Sequence, residues 1–288
     1  MTLPRRSLLQ LTALATLTLS LATAQAQTSL KIANIVELTG PGTTAGTMFR
    51  SGVELAIKDI NAAGGILGRP IESVTMDTQT NPGIAKGLAM KAIEDGAFAI
   101  FGPVYTGSIM VSQAETRKAE MPNFTAAAGA SVTLTGNPFI FRTGLTQTNS
   151  MPKTARYMAQ SLKLKKVAVI YVNNDFGKPG RDAITQALKS YGVEVVADIS
   201  TEGGQIDFAA PVIRAKQTGA DSVFVYLNEE ESARILKELR KQGWNNHCGR
   251  CHFAGPEGPG SGGRCCQWRG RPFRNDGRCA HFCHHVCA

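Results

Sequence analysis

The sequence predicts an α/β protein whose parallel, helix-covered sheets are divided between two similar lobes. Three observations predict it. Strand-like and helix-like segments alternate from Leu30 to Gln242. Two continuous apolar runs, Ala97-Phe98-Ala99-Ile100-Phe101 and Val167-Ala168-Val169-Ile170-Tyr171, read as strands buried on both faces. The strand–helix series restarts after residues 143–149, without a strict internal sequence repeat.

Met1 to Ala26 stands apart from this body. Arg5 and Arg6 form a basic start, Leu8 to Leu21 an apolar stretch, and Ala24-Gln25-Ala26 a small-residue cleavage site. That is the pattern of a secretory signal peptide, and a periplasmic, soluble protein is expected. The run Arg5-Arg6-Ser7-Leu8-Leu9 also resembles a twin-arginine signal, the second reading of the same segment.

The elements follow in order. Leu30 to Ile35 alternates into a first strand, and Thr39 to Gly46 reads as a flexible loop. A helix is expected over Met48–Ile60, with Phe49, Val53, Ala56, Ile57 and Ile60 on one face. Gly64-Gly65 ends it, and Ile71 to Met76 is a second strand. Asn81-Pro82 opens a helix running to Ile93. After the strand at 97–101 come a helix over Ile109–Glu120, a strand over Asn123–Ala126 and a short extended piece at 139–142.

The second series begins with a helix over Ser150–Leu162 and the strand at 167–171. A loop at 173–177, a helix over Gly180–Ser190 and a strand over Val193–Ile199 follow. Phe208–Gln217 reads as helix and Ser222–Tyr226 as strand. The last helix, Glu229–Gln242, is acidic in its first turn and basic in its last, and Gly243 stops it. The expected organisation is a signal at 1–26, a first lobe at 27–146, an incomplete second lobe at 147–246 and an aberrant tail at 247–288.

All seven Cys and all five His lie in that tail, so the body excludes His or Cys catalysis and His-based metal sites. The tail has no apolar period and is not expected to add a layer to a sheet. Of the net charge of +9, the signal carries +2 and the stretch from His247 carries +4, which leaves +3 on residues 27–246. Nothing in that balance marks a nucleic-acid surface.

Catalytic motifs are missing too. Gly40-Pro41-Gly42 with Gly46 is one residue too long for a dinucleotide fingerprint, with no acidic residue at the expected distance. No phosphate-loop, nucleophile-elbow or paired-carboxylate pattern occurs, so no enzyme is expected. Glu229-Glu230-Glu231 reads as charge at a helix N-terminus.

The segment that does carry chemistry is Gly102-Pro103-Val104-Tyr105-Thr106-Gly107-Ser108. A strand emptying into a Gly-rich turn and a helix N-terminus leaves backbone N–H groups converging on one spot, where a carboxylate or a phosphate is stabilised. Thr106 is also a candidate N-cap.

In the tail, Cys248-Gly249-Arg250-Cys251-His252 fits the c-type haem attachment motif, and Cys279, Cys283, His284 and His285 resemble a zinc-ligand set. The genetic code supplies a simpler account. With the variable bases chosen favourably, codons from His247 onward shifted by one base permit Ile-Val-Gly-Asp-Ala-Thr-Leu-Pro, continuing into an amphipathic helix without Cys or His. A frameshift product with little ordered structure is the expectation, and neither haem nor zinc is expected as a cofactor.

Several separated motifs identify a family resemblance over residues 29–245. Leu55-Ala56-Ile57-Lys58-Asp59-Ile60-Asn61-Ala62-Ala63-Gly64-Gly65-Ile66 resembles the first helix and turn of periplasmic leucine/isoleucine/valine-binding proteins. So do the Gly102-Pro103 loop, Phe141-Arg142-Thr143, Tyr171 to Gly177 and Leu239-Arg240-Lys241-Gln242-Gly243-Trp244. These are substrate-binding proteins of branched-chain amino-acid ABC transporters. The resemblance implies a type I periplasmic-binding-protein fold, two Rossmann-like lobes hinged by three crossovers, with the C-terminal part missing.

It also implies a ligand site. Thr106 matches the hydroxyl that holds an amino acid's carboxylate, with Val104 and Tyr105 beside it. Ala127, Ala128 and Gly129 match the second backbone contact. Phe176 matches an aromatic that closes from the second lobe, and Asn228 or Glu229 takes the place of another. In the shifted frame the ammonium-binding carboxylate is the Asp of Ile-Val-Gly-Asp, where this chain has Arg250. Ala45 stands where relatives carry a bulky residue, leaving room for a different side chain.

The implied partners are a small amino-acid ligand and an ABC membrane permease. The chain is expected to be a monomer, with binding impaired by the missing part. The alternatives are a sensory binding protein of the same fold, or a haem protein built on Cys248, Cys251 and His252.

Overall fold

The computed structural model describes residues 28–244 and the backbone of a strand at 247–250. The signal segment, the haem-like Cys251 and His252 and the zinc-like set at 279–285 lie outside the described residues.

The first lobe is a five-stranded parallel sheet in the order β2-β1-β3-β4-β5. Its strands are β1 (Leu30–Val36), β2 (Ile71–Asp77), β3 (Ala99–Phe101), β4 (Asn123–Thr125) and β5 (Ile140–Arg142). Between them run α1 (Thr43–Ala62), α2 (Pro82–Glu94) and α3 (Thr106–Lys118). Asn81 caps α2 by accepting from the Gly83 and Ile84 amides, with Pro82 in the first turn, where its missing N–H costs nothing.

The second lobe is a four-stranded parallel sheet in the order β7-β6-β8-β9. It comprises β6 (Lys166–Val172), β7 (Glu194–Thr201), β8 (Ser222–Tyr226) and β9 (His247–Arg250). Its helices are α4 (Gln147–Arg156, continued by a π-turn to Ser161), α5 (Gly177–Ser190), α6 (Ala209–Gln217) and α7 (Glu229–Lys241).

The period of two along β6 sorts its side chains between two cores. Val167, Val169 and Tyr171 pack with Met151, Ala155, Ile184 and Leu188 of α4 and α5. Ala168, Ile170 and Val172 pack with Val212, Ala215, Ile235 and Leu239 of α6 and α7. Burial on both faces is why the strand reads as an unbroken apolar run.

The first lobe differs from expectation on one face. Ala33, Ile35 and Ile100 pack against Ala89 and Ala92 of α2. On the opposite face Phe101, Phe124 and Phe141 stack across β3, β4 and β5, with ring centroids 5.0 and 5.1 Å apart. Phe141 stays 46% exposed. Phe98, expected in a fully buried strand, precedes β3 and is 63% exposed. The stripe on α1 is covered unevenly, with Ala56 and Ile60 exposed and Phe49, Val53 and Ile57 half-buried. Apolar patterning marks a face that can be buried, and nothing among the described residues completes a second layer over this one.

Two boundaries are corrected. The expected loop at 39–46 ends at Gly42, and α1 starts at Thr43, because Gly46 lies against the Glu37 backbone with no room for a side chain. The stretch beyond Asn246, expected to add nothing to a sheet, contributes β9, which pairs in parallel with β8 from Ser222–His247 to Val225–Arg250. An edge strand needs backbone pairing on one side and no apolar period of its own.

Candidate ligand cleft

In an open parallel sheet the loops at the carboxyl ends of the strands form the crevice. Here those loops follow β1, β3 and β4 in the first lobe and β6 and β8 in the second.

The loop after β3 is fixed from below. Gly102 has φ +89, and a side chain there would run into the Ile35 carbonyl. The Asn123 amide donates to the Gly102 carbonyl at 2.5 Å, and the Thr125 hydroxyl donates to the Pro103 carbonyl at 2.5 Å. The turn so held aims two N–H groups at one place, as its sequence predicts.

That place is occupied by the protein itself. Val104 N–H donates to Glu37 Oε2 at 3.1 Å and Tyr105 N–H donates to Glu37 Oε1 at 3.3 Å. Glu37, immediately after β1, is fully buried. Burial pushes its carboxyl above the ordinary value of 4.5, and hydrogen bonds from Val104, Tyr105 and Ser108 pull the other way without overcoming it. The expectation of free N–H groups is therefore corrected: the anion seat exists, and a tethered carboxylate fills it.

Thr106 is corrected in part. Helix α3 begins at Thr106 with Tyr105 as the capping position, so the Thr106 hydroxyl is not an N-cap. Its Oγ1 instead accepts the Gly129 N–H at 3.2 Å, joining the loop after β3 to the loop after β4. Thr106 is 2% exposed, and with its acceptor side used the hydroxyl proton remains to donate.

Arg142 supports the second loop. Its guanidinium donates to the carbonyls of Ala127 and Gly129, the latter at 2.8 Å, and to Thr133 Oγ1 at 3.1 Å. It forms no ion pair among the described residues. Val104, Tyr105, Thr106, Ala127, Ala128 and Gly129 thus gather at one end of the first sheet, over a cation.

From the second lobe, the Asn174 side chain accepts from Phe176 and Gly177 N–H at 3.0 and 2.8 Å and sets the start of α5. The Phe176 ring stacks on Tyr226 with centroids 4.4 Å apart. Gln147 links this pair to the first lobe. Its backbone N–H donates to the Ala128 carbonyl at 3.2 Å, and its Nε2 donates to Phe176 O at 2.6 Å and Tyr226 Oη at 2.8 Å.

Asn228 lies differently from the other site candidates. It is 6% exposed, and its backbone N–H and Nδ2 both donate to Glu231 Oε2, at 3.1 and 3.0 Å. This is the start of a capped helix, so its amide nitrogen is committed to α7.

The lobes also meet through charge. Glu230 Oε1 accepts the Thr44 N–H at 3.1 Å, in the first turn of α1. Tyr105 donates its hydroxyl to the Pro41 carbonyl at 2.8 Å. Burial first, and then the carboxylates of Glu229, Glu230, Glu231 and Glu37, keep that phenol protonated.

Sequence reading missed Glu37, Arg142 and Gln147 as site residues. For Glu37 a signal was available: an acidic residue ending an apolar strand at its carboxyl end, where ligand groups sit. Gln147 carried none, because its partners are 19 to 79 residues away in sequence.

Residues 29–258 match the family model described as periplasmic binding protein. The Leu/Ile/Val/Thr-binding protein of Salmonella typhimurium is 29% identical over 230 residues, 80% of this chain and 62% of that protein. Solved structures are similar as well. The branched-chain amino acid transporter substrate binding protein LivJ of Streptococcus pneumoniae, in complex with isoleucine, has 25% identity and a TM-score of 0.71, covering 77% of this chain and 64% of that one. A solute binding protein of an ABC transporter from Rhodopseudomonas palustris, in complex with 3,4-dihydroxybenzoic acid, has 25% identity and a TM-score of 0.69, covering 75% and 59%. The chain therefore spans less than two thirds of the length of each. The family match runs past residue 246, so the likeness does not stop where the cysteine-rich tail begins.

Proposed function

Because the chain belongs to the periplasmic binding protein family, we propose that it captures a small amino acid, branched-chain or related, between its lobes for the permease of an ABC importer. Capture takes place in the periplasm, by a monomer, with lobes at 27–146 and 147–246 and no chemistry performed on the ligand.

One observation carries this reading. The Thr106 hydroxyl, buried and with a proton to donate, accepts the Gly129 N–H, and the Gly129 carbonyl accepts from the Arg142 guanidinium, which makes no ion pair among the described residues. A ligand carboxylate placed against Thr106 and the backbone of Ala127, Ala128 and Gly129 meets a donor and a positive field in a poorly hydrated place, where each charge-assisted bond is strengthened. Val104 and Tyr105 contribute side-chain surface, and Phe176 closes from the second lobe, with Asn228 contributing to that closure from the start of α7, where its amide nitrogen stays on Glu231. The relatives that bind leucine, isoleucine, valine and threonine by name support an aliphatic amino acid.

Calorimetric titration of the full chain with leucine, isoleucine, valine, threonine and 3,4-dihydroxybenzoate tests it. Saturable binding of at least one amino acid in preference to the aromatic acid is expected. If none of the four amino acids gives heat or raises the melting temperature at millimolar concentration, the reading fails.

A further inference from the structure

We propose that Glu37 is a specificity-determining residue: its side chain holds the anion seat at the start of α3, so a ligand carboxylate is excluded from the Val104 and Tyr105 N–H groups. The inference rests on the reading of the cleft as a ligand site. It assigns to that site a fixed polarity.

The geometry is that of a bound anion. Both carboxylate oxygens are engaged, one by each N–H, at 3.1 and 3.3 Å. Gly42 makes room for the side chain and Gly46 for the backbone that carries it. A Cβ on Gly42 would come within 2.8 Å of the Glu37 Cβ and 3.0 Å of its Cγ, and one on Gly46 would enter the Glu37 backbone. Tyr105 closes the outer side, its hydroxyl tied to the Pro41 carbonyl. A tethered group loses little freedom on binding, whereas a free ligand loses its translation and rotation, so a dissolved carboxylate competes poorly for this seat.

The surrounding charge gives the seat its consequence. Glu37 makes no ion pair among the described residues, and Glu229, Glu230 and Glu231 of the second lobe approach the same tyrosine. The positive Arg142 lies on the other side, beneath the Ala127–Gly129 loop. A zwitterion is therefore held with its carboxylate toward Thr106 and Arg142 and its ammonium toward Tyr105 and the acidic groups. A simple carboxylate, such as benzoate, fills one end and leaves the acidic end without a counter-charge.

Replacing Glu37 tests this with two readouts on the full chain. In Glu37→Ala the seat is vacated, and acetate supplied in solution is expected to raise the melting temperature by about 3 °C over sodium chloride at equal ionic strength. Wild type and Glu37→Gln, which keeps the bulk of the side chain, are expected to show no acetate-specific rise. Should Glu37→Ala fold poorly in chloride, refolding in acetate against chloride reads the same occupancy. Calorimetry with leucine and benzoate gives the second readout, in which Glu37→Ala shifts the preference toward benzoate at least tenfold.

Acetate stabilising wild type and Glu37→Ala alike, or a leucine-to-benzoate preference unchanged by Glu37→Ala, would overturn the proposal. A wild-type protein that binds no amino acid, together with acetate stabilisation confined to Glu37→Ala, would sink the proposed function and leave the seat assignment standing.

Discussion

The Thr44 amide in the first turn of α1 donates to the carboxylate of Glu230 in the first turn of α7, at 3.1 Å across the two lobes. A carboxylate at a helix N-terminus complements unpaired N–H groups and the positive end of the helix dipole. Gly42, at the capping position of α1, has no side chain to do this, so the partner lobe supplies the cap.

Replacing Glu230 with Ala should favour open arrangements of the lobes. The contact is exposed and worth about 0.3–1 kcal/mol, so the melting temperature should barely move. Small-angle scattering should show a larger radius of gyration than wild type, and an unchanged radius would show that the contact does not hold the lobes together.

Burial raises the pKa of Glu37, and the sign of the resulting pH dependence follows. The folded protein retains the proton better than the unfolded chain. The stabilisation is complete below 4.5 and is lost as pH rises through the raised folded value. Glu231, also raised first of all by burial, acts in the same direction. Urea denaturation at a series of pH values should show Glu37→Gln losing less stability than wild type as pH rises from 4.5 toward neutrality. Parallel curves for the two proteins would contradict the assignment.

Thr106→Val keeps the shape of the side chain and removes its oxygen. The Gly129 N–H then faces an apolar group, which costs about 1–3 kcal/mol. Amino-acid affinity should fall about tenfold, with Thr106→Ser restoring most of it. A valine variant as stable as wild type by urea titration would show that this bond contributes nothing.

Gln147→Leu should separate the first-lobe loop from the aromatic pair of the second. The Phe176 carbonyl and the Tyr226 hydroxyl lose a shared donor, at a cost of about 0.5–1.5 kcal/mol per hydrogen bond. The denaturation midpoint should drop while the slope with urea is retained, since the surface exposed on unfolding is the same. Faster proteolysis within residues 143–149 than in wild type is the accompanying expectation.

The alternation of strands and helices was legible because each element obeys a local period. Asn81-Pro82, the acidic start and basic end of α7, and the apolar run of β6 all announce their elements within a few residues. The loop Gly102–Ser108 was legible for the same reason, as a Gly-rich turn between strand and helix. The burial of Phe98 was misread because an apolar run shows that a segment can be buried, while neighbouring elements decide whether it is.

By itself the sequence determined the α/β class, the two parallel sheets, the family resemblance and the place where N–H groups converge. Tertiary structure alone decided what those groups hold. Glu37 and the Val104–Tyr105 amides lie 67 and 68 residues apart in sequence. They meet because β1 and β3 are adjacent, parallel and in register from Ile32–Ala99 to Asn34–Phe101. Local propensity ends at the boundary of each element. Which carboxylate arrives at a helix N-terminus is set by which strands pair, and that is a property of the whole sheet.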